Sequence, residues 1–347
     1  MTGKSLLEIA EERVLIVAEL SANHGQNLDI AVKSIQAAKE AGADAVKLQT
    51  YTPDTITIKS DKSYFRINQG TIWDGTTLYD LYERAYTPWE WHSKLKSVAE
   101  DLGMVCFSAP FDKSAVDFLE ALSMPAYKIA SMEVVDIPLI RYVASKGKPV
   151  IVSTGIATES EIVEAVQTCR EAGNNQIAIL KCTSEYPTPL VDVNLNTIPD
   201  MRSRFNTMVG VSDHTLGIEV PIAAVAVGAR IVEKHFILDK SIGGPDASFS
   251  MEKGEFKRMV DSIRMTEQAL GQSTYELSDR ARRSREHSRS LFVVEDMKKG
   301  ELFSEKNLRS IRPGFGLHPR YYDSIIGRKA LLDISRGTPL SWEMISE

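Results

Sequence analysis

The sequence predicts an α/β protein, a (β/α)8 barrel followed by a small C-terminal unit of different character. Three observations predict it. From residue 14 to about residue 270, short β-rich apolar runs alternate with longer segments of helical apolar spacing, the pattern of a parallel sheet covered by helices. Eight such repeats occupy about the length a (β/α)8 barrel takes, ~250 residues. After residue 271 the alternation stops.

The runs read as strands are 14–20, 45–51, 104–109, 126–130, 149–153, 177–182, 208–212 and 230–236. Between them lie segments such as 29–42, 113–122 and 159–173, with apolar residues on one helical face. Two of these end in glycine, Gly42 and Gly173, as helix C-termini often do. A doubly wound open sheet is the alternative, but no Gly-rich phosphate fingerprint follows the first strand. The connection at 51–100 is too long for a plain βα loop and is rich in aromatics, among them Tyr64, Trp73, Tyr82 and Trp91. Loops after barrel strands build the reactive face, so this insertion either shapes a substrate pocket or packs on itself. The barrel is expected over 1–275 and a charged, partly helical linker over 276–289. The unit at 290–347 has short strands, Gly-bearing turns and no long amphipathic helix.

The bulk numbers are those of an ordinary globular protein: 347 residues, 43% hydrophobic and 25% charged. No apolar run approaches the ~20 residues a membrane span needs, and no signal peptide is read at the N-terminus. Cys106, Cys169 and Cys182 show no metal-ligand spacing, and their odd number suits reduced thiols in a cytoplasm. A net charge of −6 argues against nucleic acid as a partner. Residues 280–347 carry 14 basic against 9 acidic side chains, and the rest of the chain 27 against 38. Opposite signs would let the two units dock, within one chain or across an oligomer.

In a barrel, chemistry sits where strands end, and nearly every expected strand ends in polar groups. These are Glu19 with Asn23 and His24, Lys47 and Gln49, Lys128 with Ser131 and Glu133, and Ser153-Thr154-Gly155. Lys181 follows with Thr183, Ser184 and Tyr186, then Ser212-Asp213-His214 and Glu233-Lys234-His235. A lone lysine in a strand is usually a surface residue. Lys47 and Lys128, however, interrupt runs that otherwise read as buried, and a buried ammonium needs an anionic partner from protein or ligand. Two such lysines with several hydroxyls suit a phosphate and a carboxylate. His214 and His235 end adjacent strands, ~4.8 Å apart, so both imidazoles can reach one cation. Asp213, Glu233 and Asp246 are candidates to support them.

The segments 18-AELSANHGQN-27, 44-DAVKLQTY-51, 127-YKIASME-133, 152-VSTGIAT-158, 182-CTSEYPTP-189, 210-GVSDHT-215, 233-EKHF-236 and 243-GGPDASFS-250 resemble, in order and spacing, the motifs of the sialic acid synthase superfamily. The tail, with 309-RSIRPGFG-316, resembles that family's antifreeze-like (SAF) domain. Within the superfamily, 64–92 and 314-GFGLHP-319 are most similar to the pseudaminic acid branch.

The resemblance implies condensation of phosphoenolpyruvate with an open-chain amino-sugar aldehyde to a nine-carbon 2-keto acid and phosphate. For that branch the aldehyde is 2,4-diacetamido-2,4,6-trideoxy-L-altrose. Phosphoenolpyruvate positions carry over to Lys47, Lys128, Ser131, Ser153, Tyr186 and Ser212. Ligands of a divalent metal, usually Mn2+ with Mg2+ or Co2+ possible, carry over to His214 and His235. Gln49, Glu133 and Asp246 match sugar- or metal-side positions, and Glu19 matches the acidic residue assigned to catalysis. Arg312 matches an arginine that reaches the neighbouring subunit's site in a domain-swapped homodimer. Ser184 stands where N-acetylneuraminate synthases have Asn, which tilts against that activity and agrees with the pseudaminic branch. The rivals are N-acetylneuraminate or legionaminate synthesis, a Schiff-base aldolase using Lys47, Lys128 or Lys181, and a non-catalytic carbohydrate-binding barrel.

Overall fold

A computed structural model describes residues 4–68 and 70–347. Its first compact unit, Met1–Gly271, is built on a closed barrel of eight parallel strands in sequence order. They are β1 (Leu15–Glu19), β2 (Ala45–Thr50), β3 (Val105–Pro110), β4 (Tyr127–Ile129), β5 (Val150–Ser153), β6 (Ile177–Cys182), β7 (Met208–Asp213) and β8 (Ile231–His235). β8 closes against β1, with Leu15 opposite Ile231 and Glu19 opposite His235. The eight expected strands are therefore all present, with no end moved by more than one residue.

Strand alternation sorts the buried side chains into two layers. Leu15, Val17, Ala45, Phe107, Ala126, Ile151, Ala178, Leu180 and Ile231 fill the barrel interior. Ile16, Ala18, Val46, Ile129, Val152, Ile179, Val211 and Val232 face outward, against the helices. The helix Leu28–Glu40 shows why these segments are helical. Asn27 caps its N-terminus by accepting from the Asp29 and Ile30 amides, and Ala31, Ile35 and Ala38 form its buried stripe.

One helix lies outside the expected pattern. Leu6–Glu12 is held at its start by a Ser5–Glu8 capping box. Leu6 and Ala10 join the interior layer, and Arg230 donates to the Ala10 and Glu11 carbonyls at 2.8 and 2.7 Å. Its apolar residues, Leu6, Leu7, Ile9 and Ala10, span little more than one turn, too short to mark a helix by themselves, and the barrel supplies the burial that holds it.

The last barrel helix, Lys253–Leu270, ends at Gly271 with φ 50°. The second compact unit begins at Gln272, slightly before the boundary expected from composition, and takes in the charged segment with its short helix Asp279–Ser284. β9 (Ser290–Val293) and β10 (Leu308–Ile311) pair antiparallel over a separate core of Leu291, Val293, Met297, Phe303, Leu308, Ile325 and Ile334. Among the described residues, no helix is long and apolar enough to cross a membrane.

Candidate active site

The alternation that puts Leu15 and Val17 inside the barrel puts Glu19 there too. The same parity carries Lys47 and Gln49 after Ala45, Lys128 after Ala126, and Ser153 after Ile151. It carries Cys182 after Leu180, and Glu233 and His235 after Ile231. These side chains converge at the C-terminal mouth, above an apolar floor.

Their centre is a buried quartet of two lysines and two carboxyls. Lys47 Nζ donates to Glu233 Oε1 at 2.9 Å and lies 3.2 Å from Glu19 Oε2. Lys128 Nζ lies 3.5 Å from the same Glu233 oxygen, to which Ser212 Oγ donates at 3.1 Å. Gln49 Nε2 donates to Glu19 Oε1 at 2.9 Å and to Ser21 Oγ at 3.1 Å. Ser21 in turn donates to the buried Asp246 carboxylate. The two carboxyls are driven apart. Burial opposes ionisation of Glu233, but Lys128 and Lys47 overcome it and hold the acid down at about 2. Glu19 has the same burial and meets the charge of Glu233 as well, so it rises to about 7 despite Lys47. Burial disfavours both ammonium ions. Glu19 and Glu233 nevertheless hold Lys47 above its ordinary range, while Lys128 falls below its own, with Lys47 a like charge beside it. When Glu19 is protonated, two ammonium groups face one carboxylate, a surplus that suits an anionic ligand.

Hydroxyl groups ring this cluster. Ser153 Oγ is buried without a hydrogen-bond partner, as are Glu233 Oε2 and Glu133 Oε2 among the described residues. Buried polar atoms left unpaired by the chain mark a place where a polar ligand completes the bonding. Burial raises Glu133 to about 7, with Lys128 opposing. Ser131 Oγ accepts from the Gly155 amide at 3.2 Å and lies 3.4 Å from Cys182 Sγ. Gly155 is required by close approach, because a Cβ there would collide with Ser184 Oγ and stand 2.8 Å from Ser131 Oγ.

His214 and His235 lie beside the quartet with ring centroids 5.2 Å apart. His214 Nδ1 donates to the Thr183 carbonyl at 3.0 Å, which leaves its Nε2 lone pair free. Burial holds His235 well below its ordinary range, so it is neutral, and its Nδ1 is buried without a partner. Two imidazoles with unengaged nitrogens fit a divalent cation. Among the described residues, no cluster of three or more His, Cys, Asp or Glu side chains has metal-binding geometry. Cys182 Sγ lies 3.9 Å from His214 Nδ1. Burial opposes its thiolate, but His214 carries the thiol down to about 7. Cys182 is thus a site residue that motif and spacing do not single out, although its parity with Ala178 and Leu180 is a signal that could.

Four residues singled out in the sequence find other partners in the structure than expected. Lys181 has outward parity and donates to the Cys182 carbonyl and Thr183 Oγ1 at 2.9 and 3.3 Å, which removes it as a Schiff-base candidate inside the barrel. Asp213 also faces outward, paired with Lys234 and not bonded directly to a histidine. Glu233 serves the lysines, and Asp246 accepts from Ser21 and the Ala22 amide. The aromatic insertion packs on a barrel helix and on neighbouring loops at the mouth. Trp89 stacks on Phe118 at 4.8 Å, while Trp73 donates through Nε1 to the Pro245 carbonyl at 2.9 Å and lies 5.4 Å from the Tyr186 ring. Tyr186 continues that row, 4.3 Å from His214 and 5.2 Å from Phe249. Arg312 belongs to the second unit, exposed just after β10.

Comparisons with known proteins agree with this architecture. A NeuB family model matches residues 34–275, and a SAF domain model matches residues 288–346. The chain is 50% identical over 330 residues to the pseudaminic acid synthase of Campylobacter jejuni subsp. jejuni serotype O:23/36 (strain 81-176), covering 95% of this chain and 96% of that one. It is 46% identical to the Helicobacter pylori (strain 26695) pseudaminic acid synthase, covering 94% and 96%. An N,N'-diacetyllegionaminic acid synthase of Legionella pneumophila is more distant, at 38% identity with 95% and 94% covered. Among solved structures, a putative spore coat polysaccharide biosynthesis protein E of Chromobacterium violaceum superimposes with a TM-score of 0.75 at 26% identity, covering 96% of this chain and 100% of that one. An N-acetylneuraminic acid synthetase of Leptospira borgpetersenii, solved with citrate, gives 0.70 at 30% identity, covering 78% and 90%.

Proposed function

The chain belongs to the NeuB family and carries a SAF domain after the barrel in sequence, and from that premise we infer that it makes pseudaminic acid. It joins phosphoenolpyruvate to 2,4-diacetamido-2,4,6-trideoxy-L-altrose and releases phosphate. The observation that carries the reaction class is the buried quartet Glu19, Lys47, Lys128 and Glu233 beside two histidines at one barrel mouth. The choice of aldehyde is supported by the high identity to pseudaminic acid synthases along nearly the whole chain.

Lys47 and Lys128 hold the phosphate and carboxylate of phosphoenolpyruvate, helped by Ser131, Ser153 and Ser212. His214 and His235 are the residues that would hold a divalent metal, Mn2+ for preference, whose chemistry is Lewis-acid polarisation of the aldehyde oxygen. Tyr186 lines the phosphoenolpyruvate side with the two lysines, and Gln49, Glu133 and Asp246 orient the sugar, so that its aldehyde carbon faces C3 of the enol. As C3 attacks, positive charge develops at C2, beside the Glu19 carboxylate and the bound anion. Water then adds at C2 and Glu19 takes one of its protons, passing it on to the alkoxide left at the former aldehyde carbon. The C2 hydroxyl collapses to the ketone as the C2–O bond breaks, and its proton leaves with the phosphate. Two carboxyls pushed to opposite ends of the titration range divide the work: Glu233 stays charged and braces the lysines, while Glu19 exchanges a proton near neutrality. The three cysteines are free and buried, which supports a reducing, cytoplasmic setting.

The test is phosphate release and product mass on a panel of aldehydes, with and without chelator. The 6-deoxy diacetamido altrose should be the preferred substrate, and faster turnover of N-acetylmannosamine would reassign the enzyme. The pH profile tests the role of Glu19. Its carboxyl is raised from 4.5 to about 7, so the base form, and with it kcat/KM, should rise through pH 7. Glu19→Gln should lose this limb and about a hundredfold or more in kcat/KM. The stability sign is opposite. The folded state holds this proton more tightly than the unfolded state, so its stabilising contribution is full below pH 4.5 and is lost as pH rises through about 7. Glu19→Gln should therefore gain on the wild type in melting temperature over that window.

We further infer a domain-swapped homodimer in which Arg312 serves the partner's site, a reading supported by the matched SAF domain and the exposure of Arg312. Arg312→Ala should raise the KM for the sugar or lower kcat while leaving phosphoenolpyruvate affinity alone. Reassembled from unfolded mixtures, Arg312→Ala and Glu19→Ala subunits should recover about a quarter of wild-type activity. No recovery in proven heterodimers would refute the swap.

A further inference from the structure

Lys234 lies between Glu233 and His235 on β8 but points the other way, out of the barrel, and is only 1% exposed. Its ammonium donates to the Asp213 carboxylate and to the Thr215 carbonyl. Asp213 and Lys234 are direct cross-strand neighbours in the β7–β8 ladder. The other Asp213 oxygen accepts from the Thr215 amide at 2.9 Å. One buried ammonium thus grips the chain on both sides of His214 while its own backbone continues directly into His235. The inward face of the two strand ends presents the imidazoles, and the outward face carries the brace.

Stability alone does not explain such a pair. An ion pair in this setting is costly to desolvate, and an apolar pair of similar volume is often as stable or more so. What the pair supplies is a fixed position for residues 213–215 against the end of β8. We propose that Lys234 is a positioning residue, which through Asp213 and Thr215 holds His214 at its separation from His235 and so sets the affinity of the pair for a divalent cation. This rests on the assignment of His214 and His235 as metal ligands, and it names an outer residue on which that site depends.

The experiment is a direct Mn2+ titration of the full-length protein, read by the electron paramagnetic resonance of the free aquo ion. Lys234→Met removes the brace but leaves Asp213 buried and unpaired, so Asp213→Leu/Lys234→Met is the variant expected to fold. Calorimetric titration with phosphoenolpyruvate in metal-free buffer reports whether the lysine cluster is intact. The double variant should bind phosphoenolpyruvate and melt like wild type, but bind Mn2+ ten- to a hundredfold more weakly, the loss typical of removing a residue that supports a metal ligand. Mn2+ affinity within about twofold of wild type in the folded double variant would overturn the proposal, while loss of binding in His214→Ala still upheld the metal assignment. Mn2+ binding that survives in both His214→Ala and His235→Ala would overturn the metal assignment, and the proposal with it.

Discussion

On the proposed assignment of His214 and His235 as metal ligands, His235→Ala should bind no divalent metal and show almost no turnover. The His235 ring is buried and neutral, and its Nδ1 has no partner in the chain among the described residues. Removing it leaves His214 alone at the mouth, since no cluster of three or more ligating side chains forms there among the described residues. A single imidazole cannot hold Mn2+ against water. Loss of carbonyl polarisation, worth several kcal/mol, corresponds to on the order of 10³ in rate. Metal content after gel filtration and phosphate release measure the two effects separately. The fold should survive, because a small side chain at the mouth leaves the interior layer untouched. Full turnover by metal-stripped wild type would sink this reading.

Lys47→Met should weaken phosphoenolpyruvate binding about a hundredfold or more. Its ammonium is the link between the two carboxyls, 2.9 Å from Glu233 and 3.2 Å from Glu19. Without it one negative group of the ligand is desolvated and unpaired, a loss on the order of 2–4 kcal/mol. Glu233 keeps Lys128, so the protein should fold with reduced stability. Glu19 loses the cation that opposes its burial, so its carboxyl should climb further and the rising limb of the pH profile should move to higher pH. Calorimetry reads the affinity and the rate profile reads the shift. Unchanged affinity in both Lys47→Met and Lys128→Met would mean that the lysines serve only the fold.

Much of this is legible in the sequence. The eight apolar runs identify the strands, because a strand buried on both faces must be apolar almost throughout. Lys47 and Lys128 stand out because each breaks such a run. Strict alternation even determines which residues enter the barrel: Glu19, Lys47, Lys128, Ser153, Cys182, Glu233 and His235 all share the parity of the interior layer. Counted through in the same way, it excludes Lys181 and Asp213, since parity is a property of one strand and needs no partner.

Which of these groups answer one another is decided elsewhere. Glu233 adjoins Lys234 and His235 in sequence yet bonds to Lys47, from a strand 186 residues away. That choice depends on how the strands are staggered around the closed barrel, which no single strand encodes. The same holds for Trp73, which meets the Pro245 carbonyl 172 residues on only because two loops fold over one mouth. Residue types and their inward or outward direction are local and are written in the sequence. The unequal fates of Glu19 and Glu233 are not, because an ionisation constant responds to every charge within a few ångströms, and only the closed barrel decides which charges those are.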